Sequence, residues 1–247
     1  MSNDALAEPR TTRTLPWAIA LAVAFFACVA PTLRWLEFSN SMEVLNVGTV
    51  LEIHRGSPWL LPTLEGKPRI EKPPLTAWIT ALATRRPTSA ALNDPDPVQR
   101  AAAYYRLAFD IRWTALLTGA LTLLATYALG SIIARDEQLG FVAAIVCASN
   151  YFFLRFTRFA TTDMQLMLWV TLANVFIARC VLDRVTWPAA LGAGAALGLA
   201  FMAKGPVAFV QTLAPAAVYL LIVRAPIRRF VSAPIIVGAI VMLAIAS

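Results

Sequence analysis

The chain has 247 residues, of which 59% are hydrophobic and 14% charged, and its formal net charge is +7. A soluble domain of this length cannot bury so large an apolar fraction in one core, so the composition excludes an ordinary soluble globular protein and indicates a membrane protein. The positive charge does not require a nucleic-acid partner, because basic residues beside membrane spans set the topology.

Seven stretches without charged residues or histidine are predicted to span the membrane. A span needs about 20 apolar residues, within a range of roughly 17 to 25. The predicted spans are residues 14–33, 113–134, 138–154, 164–178, 185–203, 205–223 and 230–247. The first stretch is longer than the core of a signal peptide and further spans follow it, so we expect it to remain as an anchor.

Residues 1–13 are predicted to form a cytoplasmic tail and residues 14–247 a single transmembrane domain. With a cytoplasmic N-terminus, the loops that carry most of the arginine between spans face the cytoplasm, as the positive-inside rule requires. These arginines are Arg135, Arg179, Arg184, Arg224, Arg228 and Arg229. The same topology makes the long loop 37–110 extracytoplasmic, and loops of this length usually carry function.

Two amphipathic juxtamembrane helices are predicted inside this loop. Residues 42–55 carry apolar residues at helical spacing, which fits a helix on the membrane surface or, equally, a helix packed on its own loop. Residues 75–83 resume an apolar helical pattern after Pro73 and Pro74. Residues 62–81 concentrate charge between the two, and we predict that they form the rim of an active site. Their charged residues are Glu65, Lys67, Arg69, Glu71 and Lys72.

Several ionisable residues are predicted to lie at the outer ends of spans or in outer loops. Such groups are costly at membrane depth and are usually paired or functional. They are Glu43, Glu71, Lys72, Arg112, Arg158, Asp163 and Lys204. A site that transfers a group from a phosphate-linked lipid needs cations for the phosphate and a carboxylate for the acceptor proton. Lysine and arginine suit the first task, and Glu43, Glu71 or Asp163 suits the second.

A structural interpretation of the same residues stays open. Arg112 and Arg158 can anchor span ends by reaching toward lipid headgroups, and Glu71 and Lys72 can be a solvated pair. Asp163 follows two threonines at the start of a span, which is also typical of a helix N-terminus. No cluster with metal-ligand spacing is present in the sequence. The chemistry alone therefore leaves a transporter as an alternative.

Three motifs in a fixed order resemble one family of membrane enzymes. They are PTLEGKPRIEKPPLTAW, RFATTDM and GLAFMAKGPVA. Their order is similar to that in bacterial polyprenyl-phosphate-dependent glycosyltransferases related to aminoarabinose transferase and protein O-mannosyltransferase. The resemblance implies a GT-C fold and inverting transfer of a sugar from an undecaprenyl-phosphate-type donor. The acceptor would be a lipid A-like glycolipid or a protein at the outer face of a bacterial inner membrane.

The resemblance also implies roles for individual residues. Glu71 and Lys72 match the Glu-Lys pair that lies at the family's active-site cavity, with the lysine near the donor phosphate. Asp163 matches the aspartate of the Thr-Thr-Asp motif, and Lys204 matches the lysine before the Gly-Pro turn. Arg112 matches an arginine at the start of the family's second span. Relatives that hold a divalent metal use the glutamate equivalent to Glu71, although this sequence does not require a metal.

One position departs from the family pattern. Relatives carry an Asp-Glu pair in the first loop, and the aspartate position here is Met42. Three consequences remain open: Glu43 acts as the base, the acceptor is already ionised, or the protein is a silent or incomplete lipid-binding relative. A general base contributes about 10²–10⁴-fold. The apolar run that reaches Ser247 predicts that the chain is the front portion of a longer protein. A transporter is favoured least, because the charges collect at one rim.

Overall fold

The computed structural model describes residues 13–35, 37–224, 226 and 230–247. Its helices are α1 (Leu15–Val29, followed by a 3-10 turn, Ala30–Arg34), α2 (Ser41–His54), α3 (Leu75–Ala83), α4 (Arg86–Ala90), α5 (Pro97–Ala134), α6 (Glu137–Ser149), α7 (Tyr151–Phe156), α8 (Thr162–Ala178, followed by a π turn, Arg179–Asp183), α9 (Trp187–Lys204), α10 (Val207–Ile222) and α11 (Ala233–Ala246). The strands β1 (Thr63–Leu64) and β2 (Lys67–Pro68) form a small antiparallel hairpin. Residues 1–12 of the predicted tail, together with Arg228 and Arg229, lie outside the described residues.

Three helical stretches among the described residues are long and apolar enough to cross a membrane: Leu15–Arg34, Pro97–Ala134 and Thr162–Asp183. Three shorter apolar helices, α6, α10 and α11, lie beside them. The predicted all-α, multi-pass architecture agrees with this arrangement. The total of seven spans stays a prediction.

The bundle is organised around α5, which packs against α1, α6 and α8. On the far side of α8, helix α9 packs between α8 and α11. A Cβ atom at Gly194 of α9 would come within 2.0 Å of the Gly238 carbonyl oxygen of α11. Glycine therefore lets these two backbones touch, as small residues do between membrane helices.

The polar contacts separate the bundle into two ends. At one end, Thr14 bonds to the first residue of α6, and Arg135 at the end of α5 lies 3.4 Å from Asp183 after α8. Helices α8 and α9 run from that end to the other, where Asp163 and Lys204 are paired. The predicted grouping of Arg135 away from Asp163 and Lys204 agrees with this geometry, whereas the orientation in a membrane stays a prediction.

The third predicted span, residues 138–154, is interrupted in the structure. Helix α6 ends at Ser149, and α7 starts anew because the Asn150 side chain accepts a hydrogen bond from the Phe153 N–H at 3.1 Å. Asparagine is uncharged, so a search for uncharged stretches passes over this break. The apolar run therefore turns at Asn150 instead of continuing as one helix.

The second predicted span is the inner part of a much longer helix. Helix α5 begins at Pro97, where the Asp96 carboxylate accepts a hydrogen bond from the Val98 N–H at 2.9 Å. Aspartate at the cap and proline at the first position are strong helix-start signals. The first turns of α5 thus lie beside the loop helices and carry Asp110 and Arg112 into them.

Both predicted juxtamembrane helices are present as α2 and α3, and Asn40 caps α2 by accepting the N–H groups of Met42 and Glu43. The apolar stripe predicted for α2 does not face outward as a unit. Val44 is 46% exposed, whereas the buried face carries Glu43, Asn46 and Thr49 beside Val50 and Ile53. Val50 and Ile53 pack against α3. The structure thus favours the second interpretation, a helix packed on its own loop.

Candidate functional site

A buried ion pair joins α2 to α5. The Glu43 carboxylate accepts hydrogen bonds from Arg112 Nε at 2.7 Å and Arg112 Nη2 at 2.8 Å, and both side chains are 0% exposed. The same carboxylate accepts the Ala160 N–H at 2.9 Å. Charge-assisted bidentate contacts of this kind are among the strongest in proteins.

Arg112 also fixes the chain that leads into α2. Its Nη1 donates to the Leu33 carbonyl at 2.8 Å, its Nη2 donates to the Glu37 carbonyl at 3.2 Å, and its guanidinium lies 4.6 Å from the centre of the Phe38 ring. The pair thus ties together the end of α1, the start of α2, α5 and the turn before α8. This burial favours structural roles over the roles expected from the sequence, acceptor base for Glu43 and phosphate ligand for Arg112.

A second ion pair lies at the rim of the bundle. Lys204 Nζ contacts the Asp163 carboxylate, and their side chains are 36% and 34% exposed. Asp163 lies in the first turn of α8 and Lys204 in the last turn of α9, where helix dipoles favour a negative and a positive charge respectively. The Thr-Thr-Asp and Lys-Gly-Pro motifs therefore meet at one solvent-accessible point.

The Lys-Gly-Pro motif has a backbone reason. Gly205 adopts φ 75° and ψ −150°, a region that is essentially restricted to glycine. Pro206 follows directly as the residue before α10. Together they reverse the chain immediately after Lys204 and hold its side chain at the rim.

The β-hairpin positions the charged segment of the long loop. Its turn residues, Glu65 and Gly66, both have positive φ, as a two-residue hairpin turn requires. Glu52 of α2 accepts hydrogen bonds from the Thr63 hydroxyl and from the Gly66 N–H. The Thr63 contact is the main cause that lowers the pKa of Glu52. A carboxylate of α2 thus fastens the hairpin to the helix.

Arg69 is a site residue to which the sequence analysis gave no role. Its Nη1 donates to the Leu45 carbonyl at 3.1 Å and to the Thr49 hydroxyl at 2.7 Å, both on α2. Burial is the main cause that lowers the pKa of its guanidinium, which stays cationic. The bonds hold the segment before Lys72 against α2. The sequence showed a charged run here and gave no sign of which charge points inward.

Lys72 lies where these parts converge. Its Nζ is 3.2 Å from the Met42 sulfur, so the residue in the family's aspartate position directly contacts the lysine of the Glu-Lys motif. Burial, followed by the positive charges of Arg69 and Lys204, lowers the pKa of Lys72. The carboxylates of Asp163 and Glu71 offset part of this effect. Electrostatics therefore couple Lys72 to the pair at the rim.

The remaining predicted residues are placed differently. Glu71 is exposed and close enough to act electrostatically on Arg69 and Lys72. Arg158 lines a separate cavity of about 330 Å³ with Tyr151, Leu154, Arg155 and Phe159. The structure thus groups Glu71 with Lys72, and it places Arg158 in a cavity that neither residue lines.

Two further cavities border the charged cluster. A small crevice is lined by Arg69, Lys72 and the first turn of α3. An apolar cleft of about 570 Å³ runs along α6, α7 and α8 and reaches Asp163. Within the part of the chain that the structure describes, no group of three or more His, Cys, Asp or Glu residues could hold a metal ion. Metal binding at Glu71 stays a prediction.

Comparison with known proteins gives these features a context. Residues 105–247, more than half of the chain, match the family of dolichyl-phosphate-mannose-protein mannosyltransferases. The undecaprenyl phosphate-α-4-amino-4-deoxy-L-arabinose arabinosyl transferase of Pseudomonas savastanoi pv. phaseolicola is 27% identical over 155 residues. This match covers 62% of the chain and 26% of the relative, so the chain spans about a quarter of that relative's length.

Two solved structures share the fold. ArnT from Cupriavidus metallidurans bound to undecaprenyl phosphate superposes with a TM-score of 0.70 at 19% identity, over 95% of this chain and 40% of that chain. The S. cerevisiae protein O-mannosyltransferase Pmt1-Pmt2 complex bound to the sugar donor gives 0.62 at 18% identity, over 95% and 32%. The predicted fold class, an all-α GT-C-like membrane bundle, is confirmed.

Proposed function

This chain belongs to the dolichyl-phosphate-mannose-protein mannosyltransferase family, and from that membership we propose that it carries the donor-phosphate part of a glycosyltransferase active site. The proposed reaction moves a sugar from a polyprenyl-phosphate donor to a glycolipid of the lipid A type or to a protein. The chain is a multi-pass membrane protein, and we place the site at the outer face of a bacterial inner membrane.

One observation carries this proposal: Lys72, Asp163 and Lys204 converge although they come from three separate motifs. Lys204 contacts Asp163, and both act electrostatically on Lys72. Cations that are held in place before the reaction stabilise charge that develops on a leaving group. The apolar cleft that reaches Asp163 adds an environment suited to a hydrocarbon chain.

The proposed chemistry is a single displacement. An acceptor hydroxyl oxygen attacks the anomeric carbon, the bond from that carbon to the phosphate oxygen breaks, and the electron pair stays on the polyprenyl phosphate. Lys72 and Lys204 bind the phosphate, and Asp163 orients Lys204. Glu71 is the exposed carboxylate that takes the acceptor proton or positions the acceptor. Inversion at the anomeric carbon follows from one displacement.

A direct test uses the full protein in membranes with undecaprenyl-phosphate-linked 4-amino-4-deoxy-L-arabinose, the donor type that the curated relative's name indicates. Lipid A and an acceptor peptide are supplied separately. We expect release of undecaprenyl phosphate together with a glycosylated acceptor. If the protein neither releases nor binds undecaprenyl phosphate, the proposed function is wrong.

A second candidate is a silent member of the family that binds the lipid phosphate without turnover. The specific observation in its favour is the contact between Met42 and Lys72, at the position where relatives carry an aspartate. A thioether cannot take a proton from a hydroxyl at neutral pH. Binding of undecaprenyl phosphate without release of sugar is the result that this candidate predicts.

The substitution Met42→Asp is expected to raise sugar transfer, by up to about 10²–10⁴-fold, the usual contribution of a general base. An aspartate oxygen stands as many bonds from Cα as the methionine sulfur, so the carboxylate reaches the position 3.2 Å from Lys72 Nζ. Met42→Asn is the matched control, because it has the same shape and no charge. Equal transfer rates in the Asp and Asn variants would place residue 42 away from the reacting atoms.

A further inference from the structure

The crevice beside Lys72 is enclosed by polar and helix-terminal groups from several elements. Asn46 and Thr49 of α2 form one side, and Arg69 and Lys72 form another. The first turn of α3 and Thr162 of α8 complete it. Its volume is about 20 Å³. This is room for about one water-sized group.

Two donors that border this crevice are buried and unused. The hydroxyl of Thr76 and the Nε of Arg69 have no hydrogen-bond partner among the described residues. Thr76 is only 4% exposed. A buried donor without a partner costs about 1–3 kcal/mol. Both groups line a space into which an acceptor atom can enter.

The helix termini around the crevice favour a negative charge. Pro73 and Pro74 bring the N-terminus of α3 to the crevice, and Thr162 brings that of α8. The Thr161 hydroxyl at the cap of α8 makes no capping bond, and it too is buried without a partner among the described residues. Helix N-termini point N–H groups and a partial positive charge at a ligand. An anionic oxygen therefore fits better than a neutral or positive group.

The surrounding charges agree with this polarity. Arg69 and Lys204 both act as positive neighbours of Lys72, and Asp163 and Glu71 are the two carboxylates that act on it. Asp163 is engaged by Lys204. Three cations thus face two carboxylates, one of them already paired, which leaves the crevice positive.

We infer that this crevice is a subsite for one oxygen of a phosphate group, in which Arg69 Nε and Thr76 Oγ1 donate hydrogen bonds beside Lys72. The small volume admits a single oxygen, so the phosphorus and the rest of the ligand lie outside, toward Lys204. The identity of the ligand, a phosphate at the end of an isoprenoid chain, rests on the proposed function. Arg69 and Thr76 are then binding residues for the donor phosphate.

The decisive variant is Thr76→Val, because valine keeps the shape and removes only the hydroxyl. Farnesyl phosphate, added to the full protein in phosphatidylcholine nanodiscs, is the probe, and farnesol is the control without phosphate. We expect the affinity for farnesyl phosphate to fall about tenfold, as for a lost hydrogen bond to a charged group. The affinity for farnesol stays unchanged. Thermal stability stays equal or rises, because the buried hydroxyl without a partner is gone.

Thr80→Val is the matched control, one helical turn further along α3. The Thr80 hydroxyl donates to the Thr76 carbonyl at 2.7 Å and accepts from the Asn46 amide at 3.4 Å, away from any free donor. This variant is expected to lose stability and to keep its affinity for farnesyl phosphate. Arg69→Lys keeps the charge and removes Nε, and it is expected to weaken farnesyl phosphate binding about tenfold.

The outcomes separate the subsite from the proposed function. If Lys72→Ala loses farnesyl phosphate while Thr76→Val binds it normally, the subsite is wrong and the proposed function stands. If both variants bind it normally, both ideas are wrong. If short-chain phosphatidic acid, and not farnesyl phosphate, loses affinity in Thr76→Val, the subsite stands and its ligand is a phospholipid headgroup.

Discussion

Glu43→Ala is expected to destabilise the protein by about 3–5 kcal/mol, the usual effect of leaving one partner of a buried ion pair uncompensated. Arg112 would keep a full charge at 0% exposure, and the Ala160 N–H would lose its acceptor. Thermal unfolding in detergent, followed by tryptophan fluorescence, measures the loss. The contacts to Leu33 and Glu37 make the effect extend from α5 into the whole start of the long loop.

Arg135→Ala is the matched control for this prediction. Arg135 and Asp183 form an ion pair at 3.4 Å with side chains 70% and 50% exposed. Exposed pairs contribute about 0–1 kcal/mol, so this variant should unfold close to the wild-type temperature. In a double-mutant cycle, Glu43→Ala and Arg112→Ala should be strongly non-additive, because each removes the other's partner.

Glu43→Gln separates the structural role from a catalytic one. If Glu43 were the acceptor base, this variant would keep its stability and lose sugar transfer. If the carboxylate is the anchor of Arg112, stability falls first and transfer falls with it. Unchanged unfolding together with lost transfer would therefore restore the role that the sequence alone suggested.

The sequence was informative where topology alone brings residues together. Asp163 and Lys204 are 41 positions apart, yet each lies at a helix end, and two antiparallel helices return the chain to the same level. Counting spans is enough to place both at one rim. The Lys-Gly-Pro and Thr-Thr-Asp motifs were predicted to face each other for this reason, and the structure joins them in an ion pair.

The sequence was less informative about side-chain direction in the long loop. Glu43 and Arg112 are 69 positions apart, and periodicity gave the apolar stripe of α2 as the packed face. The packed face is instead largely polar, since α2 covers a charged site and not a hydrocarbon surface. Arg69 was passed over for the same reason: five charges in eight residues do not reveal which one turns inward. Such choices depend on contacts distant in the chain.

Lys72→Ala is expected to lower sugar transfer by about 10²–10³-fold, the usual effect of removing one preorganised donor from developing negative charge. Its Nζ lies between Met42 and the Asp163–Lys204 pair, so its loss leaves the donor phosphate without its central cation. Transfer and binding of undecaprenyl phosphate are measured in the same membranes. Lys67→Ala is the matched control, because it removes an exposed charge of the same hairpin. Equal losses in the two variants would contradict a specific role for Lys72.

A pH profile gives a readout that a structural role would not move. Phosphate binding needs the protonated lysine, and burial together with Arg69 and Lys204 lowers the pKa of Lys72 below that of an ordinary lysine. Affinity should therefore be full below this lowered pKa and should be lost as the pH rises through it, earlier than for a solvated lysine. Lys72→Arg keeps the charge at every accessible pH, so it should flatten the profile while retaining part of the transfer. A profile of the same shape in wild type and Lys72→Arg would mean that Lys72 does not hold the phosphate.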